Sequence, residues 1–267
     1  MPKSTLLSVI LFCFVFSSQA SDRLVLRKHI PVNKARLLSV DPLGHIYLVK
    51  ENNSLLKFSA QGDSLGTFNE IKKGKITAID ASNPLRVLLL YGDYNQLVVL
   101  NTMMSQRSTL SLNMLGVSNQ LAMAASADGN IWLFDAVAGE FIKVDENRQI
   151  LLRVSVRNQS QEISWPARIC ESDRSVYLID TSNGVRKFDL YGLYLNTYHF
   201  PGSDVMVMSP YIFYYQAPTL HAYQMQTLTE TALQIPDPAH VIQYQIFDTS
   251  FYVLRPDGLD IYQLKQD

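Results

Sequence analysis

The stretch DPLGHIYLVKENNSLLKFSAQGDSLGTF, residues 41–68, decides the fold. It crowds Asp41, Pro42, Gly44, His45 and Tyr47 together, as a ligand site would and as a turn between strands would. Turn chemistry accounts for it more simply. Pro suits the second position of a β-turn and Gly the fourth, so Asp41-Pro42-Leu43-Gly44 reads as a link between two strands. Residues 46–49 and 55–58 are short apolar and aromatic runs, and Gln61-Gly62-Asp63 reads as the next turn.

The same unit recurs along the chain. Ile46-Tyr47-Leu48 has counterparts in Leu88-Leu89-Leu90, Ile131-Trp132-Leu133, Val176-Tyr177-Leu178, Ile212-Phe213-Tyr214 and Phe251-Tyr252-Val253, whose starts lie 42, 43, 45, 36 and 39 residues apart. A further strand-like run follows each: SLLKF, QLVVL, EFIKV, GVRKF, LHAYQ and LDIYQL. Four strands at this spacing make one propeller blade. The sixth unit lacks a fourth strand, whereas residues 23–32 (RLVLRKHIPV) supply a spare one. Pairing the two closes the ring and covers an open sheet edge. The expectation is an all-β, six-bladed β-propeller over residues 21–267, its last blade closed by the N-terminal strand. No stretch shows a sustained helical period, so no helix is predicted.

Residues 1–20 read as a signal peptide. Lys3 precedes an apolar run of 11 residues (6–16), and Ser18-Gln19-Ala20 is a small-x-small site, which puts cleavage between Ala20 and Ser21. The run is shorter than the roughly 20 residues a membrane helix needs. Cys13 follows Phe12 inside it and is read as part of the signal. Cleavage leaves no membrane span and points to a secreted or periplasmic protein of a bacterial envelope. Removing Lys3 from 23 basic residues leaves 22 against 24 acidic ones, a net charge of −2, which argues against nucleic acid as a partner. Cys170 is then the only cysteine, so no intramolecular disulfide is expected, and its strand context reads as a buried, inert thiol.

HIYLVKENNSLLKFSAQGDSLGTF and SVYLIDTSNGVRKFDLYGLYLNTYHFPG resemble the repeats of NHL-type and TolB-like six-bladed propellers, with blades two, five and six degenerate. LLSVDPLGHIYLV, GKITAIDASNPLRVLLLYGDYNQLVVL and DGNIWLFD are also similar to a group of secreted propellers of Bacteroidota. The resemblance implies an envelope location and no particular activity, because the fold hosts lyases, hydrolases, ligand binders and protein-binding scaffolds.

Motifs that carry chemistry are sparse. His29, His45, His199, His221 and His240 form no metal-binding spacing, so no metal is predicted. Asp41, Asp80, Asp128, Asp135 and Asp180 recur near strand ends without a calcium-loop spacing and read as turn residues. No Gly-x-Ser-x-Gly elbow or Gly-rich phosphate loop occurs, and no catalytic residue or cofactor is predicted. A possible interaction surface comprises Trp165, Tyr211, Tyr215 and Trp132. Possible polar residues of the channel or rim are His45, Glu162 and Asn183, with Asp204 beside them. In PYIFYYQ (residues 210–216), alternation sends Tyr211, Phe213 and Tyr215 to one face and Ile212 and Tyr214 to the other. The function expected is a non-enzymatic scaffold with an envelope protein partner. The alternative is a small-ligand binder, or an enzyme of lyase or hydrolase type, using the central channel.

Overall fold

The computed structural model describes residues 23–118, 121–157, 167–180, 184–200 and 203–265. They build six four-stranded antiparallel sheets. First in the chain is β1 (Arg23–Pro31). Blade 1 holds β2 (Ala35–Val40), β3 (Ile46–Lys50), β4 (Leu55–Phe58) and β5 (Ser64–Phe68). Blade 2 holds β6 (Ile76–Asp80), β7 (Arg86–Tyr91), β8 (Gln96–Asn101) and β9 (Gln106–Ser111). Blade 3 holds β10 (Leu121–Ala125), β11 (Ile131–Asp135), β12 (Glu140–Val144) and β13 (Ile150–Ser155). Blade 4 holds β14 (Ala167–Ser172), β15 (Ser175–Asp180), β16 (Gly184–Asp189) and β17 (Tyr194–Tyr198). Blade 5 holds β18 (Ser203–Met208), β19 (Tyr211–Gln216), β20 (Thr219–Gln224) and β21 (Thr229–Gln234). Blade 6 holds β22 (Gln243–Phe247), β23 (Ser250–Arg255) and β24 (Gly258–Lys265), with β1 as its outer strand. The six-bladed propeller closed by the N-terminal strand is therefore as expected.

The ring closes through a partly buried cluster of polar side chains as well as a strand ladder. β1 pairs with β24 from Arg23↔Lys265 to Pro31↔Gly258. Across the ladder, His29 Nδ1 meets Asp260 Oδ1 at 2.7 Å, and Arg255 Nε donates to Asp260 Oδ2 at 2.8 Å. Arg255 also donates to the carbonyls of Pro236, Asp237 and Ala239, so one guanidinium ties the loop before blade 6 to the closure. Burial works against the charge on Asp260, but the His29 and Arg255 hydrogen bonds prevail and hold its carboxyl below the usual range.

The core lies between blades. Six apolar clusters occupy the contacts 6–1, 1–2, 2–3, 3–4, 4–5 and 5–6. Strand alternation feeds them: Ile46 and Leu48 of β3 pack toward blade 6, while Tyr47 and Val49 pack toward blade 2. In β19, Ile212 and Tyr214 face blade 4, and Phe213 and Tyr215 face blade 6, as the alternation predicts. Both faces of a second strand are buried, which is why these runs are apolar throughout. Each fully buried Leu or Val side chain contributes about 1.5–3 kcal/mol. In blades 1, 3 and 4 a lysine of the third strand lies over the aromatic ring opposite: Lys57 on Tyr47, Lys143 on Trp132 and Lys187 on Tyr177.

The turn from third to fourth strand is the most regular part of the repeat. It carries a left-handed residue in each of blades 1 to 5: Gly62, Met104, Arg148, Gly192 and Leu228. Gly62 packs on Ile30 of β1, and Gly192 packs on Val154 of β13, the outer strand of the preceding blade in each case. One difference from the sequence reading concerns helix. Single 3-10 turns occupy Ile71–Lys73 and Leu112–Leu115, after β5 and β9. Each ends at a glycine with positive φ, Gly74 or Gly116, and one turn is too short to show a helical period.

Candidate functional site

The channel axis is where propellers of many kinds place their chemistry, so the inner strands come first. An inner strand leaves one backbone edge unpaired toward the axis, and those N–H and C=O groups need partners. Side chains of a neighbouring blade supply several of them. Gln243 accepts from the Leu38 N–H at 2.8 Å and donates to the Leu38 carbonyl at 3.0 Å, and Gln245 accepts from the Val40 N–H at 2.9 Å. Ser39 Oγ accepts from the Ala81 N–H at 3.0 Å, and Asp80 from the Ala125 N–H at 2.7 Å. Between blades 3 and 4, Ser126 Oγ and Trp132 Nε1 both donate to Glu171 at 2.6 Å. Arg168 Nη2 donates to the Val205 carbonyl at 2.7 Å, and the Tyr244 hydroxyl donates to the Asp204 carbonyl. Every contact around the ring is thus bridged by a polar side chain of an inner strand or its immediate neighbour.

At the end where the inner strands begin, which we term the mouth, stand Arg36, Thr77, Ala122, Arg168, Asp204 and Gln243. The ladder is bulged at Arg36, at Thr77 and around Asp204. A bulge re-aims the side chain of its extra residue. Asp204 is held left-handed at φ 54°, a conformation Asp tolerates better than most residues. Arg168 Nη2 reaches its Oδ1 at 3.3 Å, with side-chain exposures of 48% for Arg168 and 29% for Asp204. Burial raises the Asp204 carboxyl above its ordinary value, against the pull of Arg168. The Tyr244 phenol is raised too, by burial first and then by the Asp204 charge. This is the most distinctive ionisable group of residues at the axis.

The opposite end of the axis is built from turns. Asp41 Oδ1 accepts from the N–H groups of Leu43 and His45, both at 2.9 Å, and Oδ2 meets His45 Nδ1 at 2.9 Å and the Tyr47 hydroxyl at 3.1 Å. His45 is therefore a partly exposed member of a turn, oriented by a buried carboxylate. Asp80 and Asp128 likewise accept from backbone N–H groups near them in sequence. At the mouth end, where the second strands finish, Asp135 accepts from the Ala138 N–H and Asp180 pairs with Arg186 at 3.2 Å. Asp128 is exposed; a small desolvation disfavours its charge, yet the Lys143 ammonium at 2.5 Å and the Asn130 amide hold it at about 2. No group of three or more His, Cys, Asp or Glu side chains able to hold a metal occurs among the described residues. Cys170 sits part-buried on β14, and desolvation pushes its thiol up to about 12.

The predicted surface residues separate. Trp132 is 1% exposed and is a core residue bonded to Glu171, so its expected place on an interaction surface is corrected. It sits on a second strand, which is buried on both faces. Tyr215 packs partly buried between blades 5 and 6, against Tyr244. Tyr211 is 39% exposed at the start of β19. Trp165, Glu162, Asn183, Ala20 and Ser21 lie outside the described residues. The mouth arginines were missed, although a signal existed: β2 and β14 both open Ala-Arg, and Arg36 and Arg168 lie 132 positions apart, three repeat lengths.

A second surface lies on the circumference. The outer strands of blades 1 to 4 each carry a bulge at their second residue, Leu65, Arg107, Leu151 or Leu195. The bulge faces the extra residue outward, so three leucines at equivalent positions stand in solvent. On blade 4 the set grows into a patch, with Tyr191 79% exposed and Leu193 and Leu195 beside it. Exposed apolar groups in this density mark contact surfaces more often than isolated ones do.

No family model matches the chain, and no curated protein matches it either. Solved structures do. A streptogramin B lyase superposes with a TM-score of 0.62 at 10% identity, covering 91% of this chain and 97% of that one. The WD40 domain of Neurospora crassa Pan2 gives 0.64 at 8% identity, covering 93% and 97%. BamB from Moraxella catarrhalis gives 0.57 at 10% identity, covering 92% and 99%. At these identities the likeness establishes the propeller fold and nothing finer. No helix of the described residues is long and apolar enough to cross a membrane.

Proposed function

We infer that the protein is a non-enzymatic scaffold of a bacterial cell envelope, exported by residues 1–20, which docks a protein partner on its circumference. The observation that carries this reading is the engagement of the inner-strand polar side chains. Gln243, Gln245, Ser39, Asp80 and Glu171 are bonded to the neighbouring blade, so they form structure and do not converge on a vacant point. The apolar patch of Tyr191, Leu193 and Leu195 supports a docking surface on blade 4. Tyr and Leu side chains there offer buried contact area once a partner covers them. The test is capture of a tagged full chain from its native envelope, beside a Leu193→Glu/Leu195→Glu variant. The reading expects one stoichiometric partner with the wild type, lost in the variant. A partner retained by the variant, or none with the wild type, counts against it.

A second reading keeps the channel as a small-ligand or enzyme site. It is favoured by one observation: Arg168 and Asp204 remain partly exposed at the mouth, and burial shifts the carboxyl upward. Screening the protein for lyase and hydrolase activity beside Asp204→Ala tests it. Activity abolished by that variant supports the channel reading, and no turnover sets it aside.

A further inference from the structure

The outer strands protect their open edges, with one exception. An outer strand ladders with its own blade on one side, so its other side offers unpaired N–H and C=O groups to any strand that arrives. A bulge interrupts the alternation that an arriving strand would need. β5, β9, β13 and β17 each carry one, and β1 is bulged at Arg27 and bears Arg23 and Lys28 as well. Among the described residues, β21 is the one outer strand whose ladder has no register shift: it pairs with β20 from Thr219↔Gln234 to Gln224↔Thr229. It holds no Lys, Arg or Pro, and every residue but Leu233 is exposed.

The ladder dictates which backbone groups of β21 are left over. The Ile235 N–H donates to the Pro218 carbonyl at 3.3 Å. Bonded pairs alternate in an antiparallel ladder, so Leu233, Thr231 and Thr229 also bond to β20. Glu230, Ala232 and Gln234 therefore direct their N–H and C=O groups away from the blade, where no described strand pairs with them. Glu230 is the only charge on the strand. Its Oε1 meets His221 Nδ1 at 2.7 Å, and its Oε2 accepts from the Tyr214 hydroxyl at 2.9 Å. The carboxylate is thus held over the face of blade 5 and does not guard the edge.

We propose that β21 is a self-association edge, on which a second copy of this chain adds its own β21 antiparallel, about a two-fold axis at Ala232. The fit of the strand to itself selects this occupant. The outward groups recur at every second residue, so the register that opposes Ala232 to the partner's Ala232 also opposes Glu230 to the partner's Gln234. All the outward positions are then joined, by about six backbone hydrogen bonds. A carboxylate faces an amide, and no like charges are opposed. The formal net charge of −1 leaves little repulsion between copies. The edge lies on a different blade from the docking patch of Tyr191, Leu193 and Leu195. The proposal goes beyond the scaffold reading and does not require it.

The experiment is sedimentation velocity of the full chain over a concentration series up to about 100 μM. A reversible monomer–dimer equilibrium is expected. Ala232→Pro removes an N–H that bonds to nothing within the blade, so it is expected to keep the fold, checked by circular dichroism, and to remain monomeric. Gln234→Glu opposes carboxylate to carboxylate across the axis and is expected to weaken the dimer about fivefold. Glu230→Lys combined with Gln234→Glu opposes unlike charges in the same register and is expected to restore it. A dimer formed through another surface would not follow that pattern, and the charge variants decide the matter even where Ala232→Pro fails to fold. A chain that stays monomeric throughout the series overturns the proposal, as does a dimer that Gln234→Glu leaves unchanged. A monomer whose captured partner protein is lost in Ala232→Pro overturns it too, because the edge then takes a foreign strand.

Discussion

Trp132 shows what a side chain does in this ring. Its indole packs between blades 3 and 4 against Phe141, Lys143 lies over one ring face, and its Nε1 donates to Glu171 at 2.6 Å. Replacing it with Phe keeps much of the packing but deprives a carboxylate of a donor, a loss of about 1.5–3 kcal/mol. Urea unfolding of Trp132→Phe is expected to show that loss. A midpoint unchanged from wild type would mean that Ser126 and the Ala127 N–H satisfy Glu171 without the indole. The glycines offer a graded comparison. A Cβ on Gly192 would sit 2.4 Å from Val154 Cγ1 at φ 83°, whereas one on Gly129 meets nothing within 4 Å at φ 85°. Gly129→Ala should therefore cost only the left-handed conformation, about 1–2 kcal/mol. Gly192→Ala should cost that plus about 1–3 kcal/mol of overpacking. Thermal unfolding of the pair separates the two contributions, and equal losses would contradict the packing of blade 4 on β13. At this scale the turn aspartates were legible in the sequence, because an Asp two to four residues before its N–H partner is a local device. Trp132 was not legible as core. Alternation alone does not say that both faces of a strand are covered.

Among the elements, β1 carries the most consequence. It comes first in the chain yet completes the last blade, and its absence would leave β24 as an open edge. A chain beginning at residue 33 should aggregate or unfold, and adding a peptide of residues 23–32 in trans should restore part of its thermal midpoint. The closure also sets an acid limit. Asp260 has a folded carboxyl value below its unfolded one of about 3.9. Its contribution is therefore fully present above that unfolded value and is lost as pH falls through the lower, folded one. The groups facing it are His29 from β1, Arg255 from β23 and Tyr262 on its own strand. Stability measured from pH 6 downward should fall more steeply in wild type than in Asp260→Asn, and identical slopes would remove the closure from the acid response. The strands and the β1 exchange were readable from the repeat, since a missing strand at one end matched a spare at the other. The one-turn helices and the outer bulges were not, because each involves fewer residues than one period of any pattern.

For the whole molecule, the ring is a structure in which neighbouring blades satisfy one another's inner edges. Gln243, Gln245, Ser39, Asp80 and Glu171 are engaged in this role, and the leucines of the outer-strand bulges are left in solvent on the circumference. Sequence spacing could place the blades but not say which polar side chains meet, because Gln243 and Leu38 are brought together only when the circle closes. Native-state amide hydrogen exchange tests this account most directly. The amides of Leu38, Val40, Ala81 and Ala125 face the axis and bond only to side chains of an adjacent blade. They are expected to be protected as strongly as amides inside the ladders, and Gln243→Ala with Gln245→Ala should release Leu38 and Val40 while leaving Ala81 and Ala125 protected. Exchange of all four in wild type at the rate of open edge-strand amides would contradict the sealed axis and, with it, the reasoning that moves function to the rim.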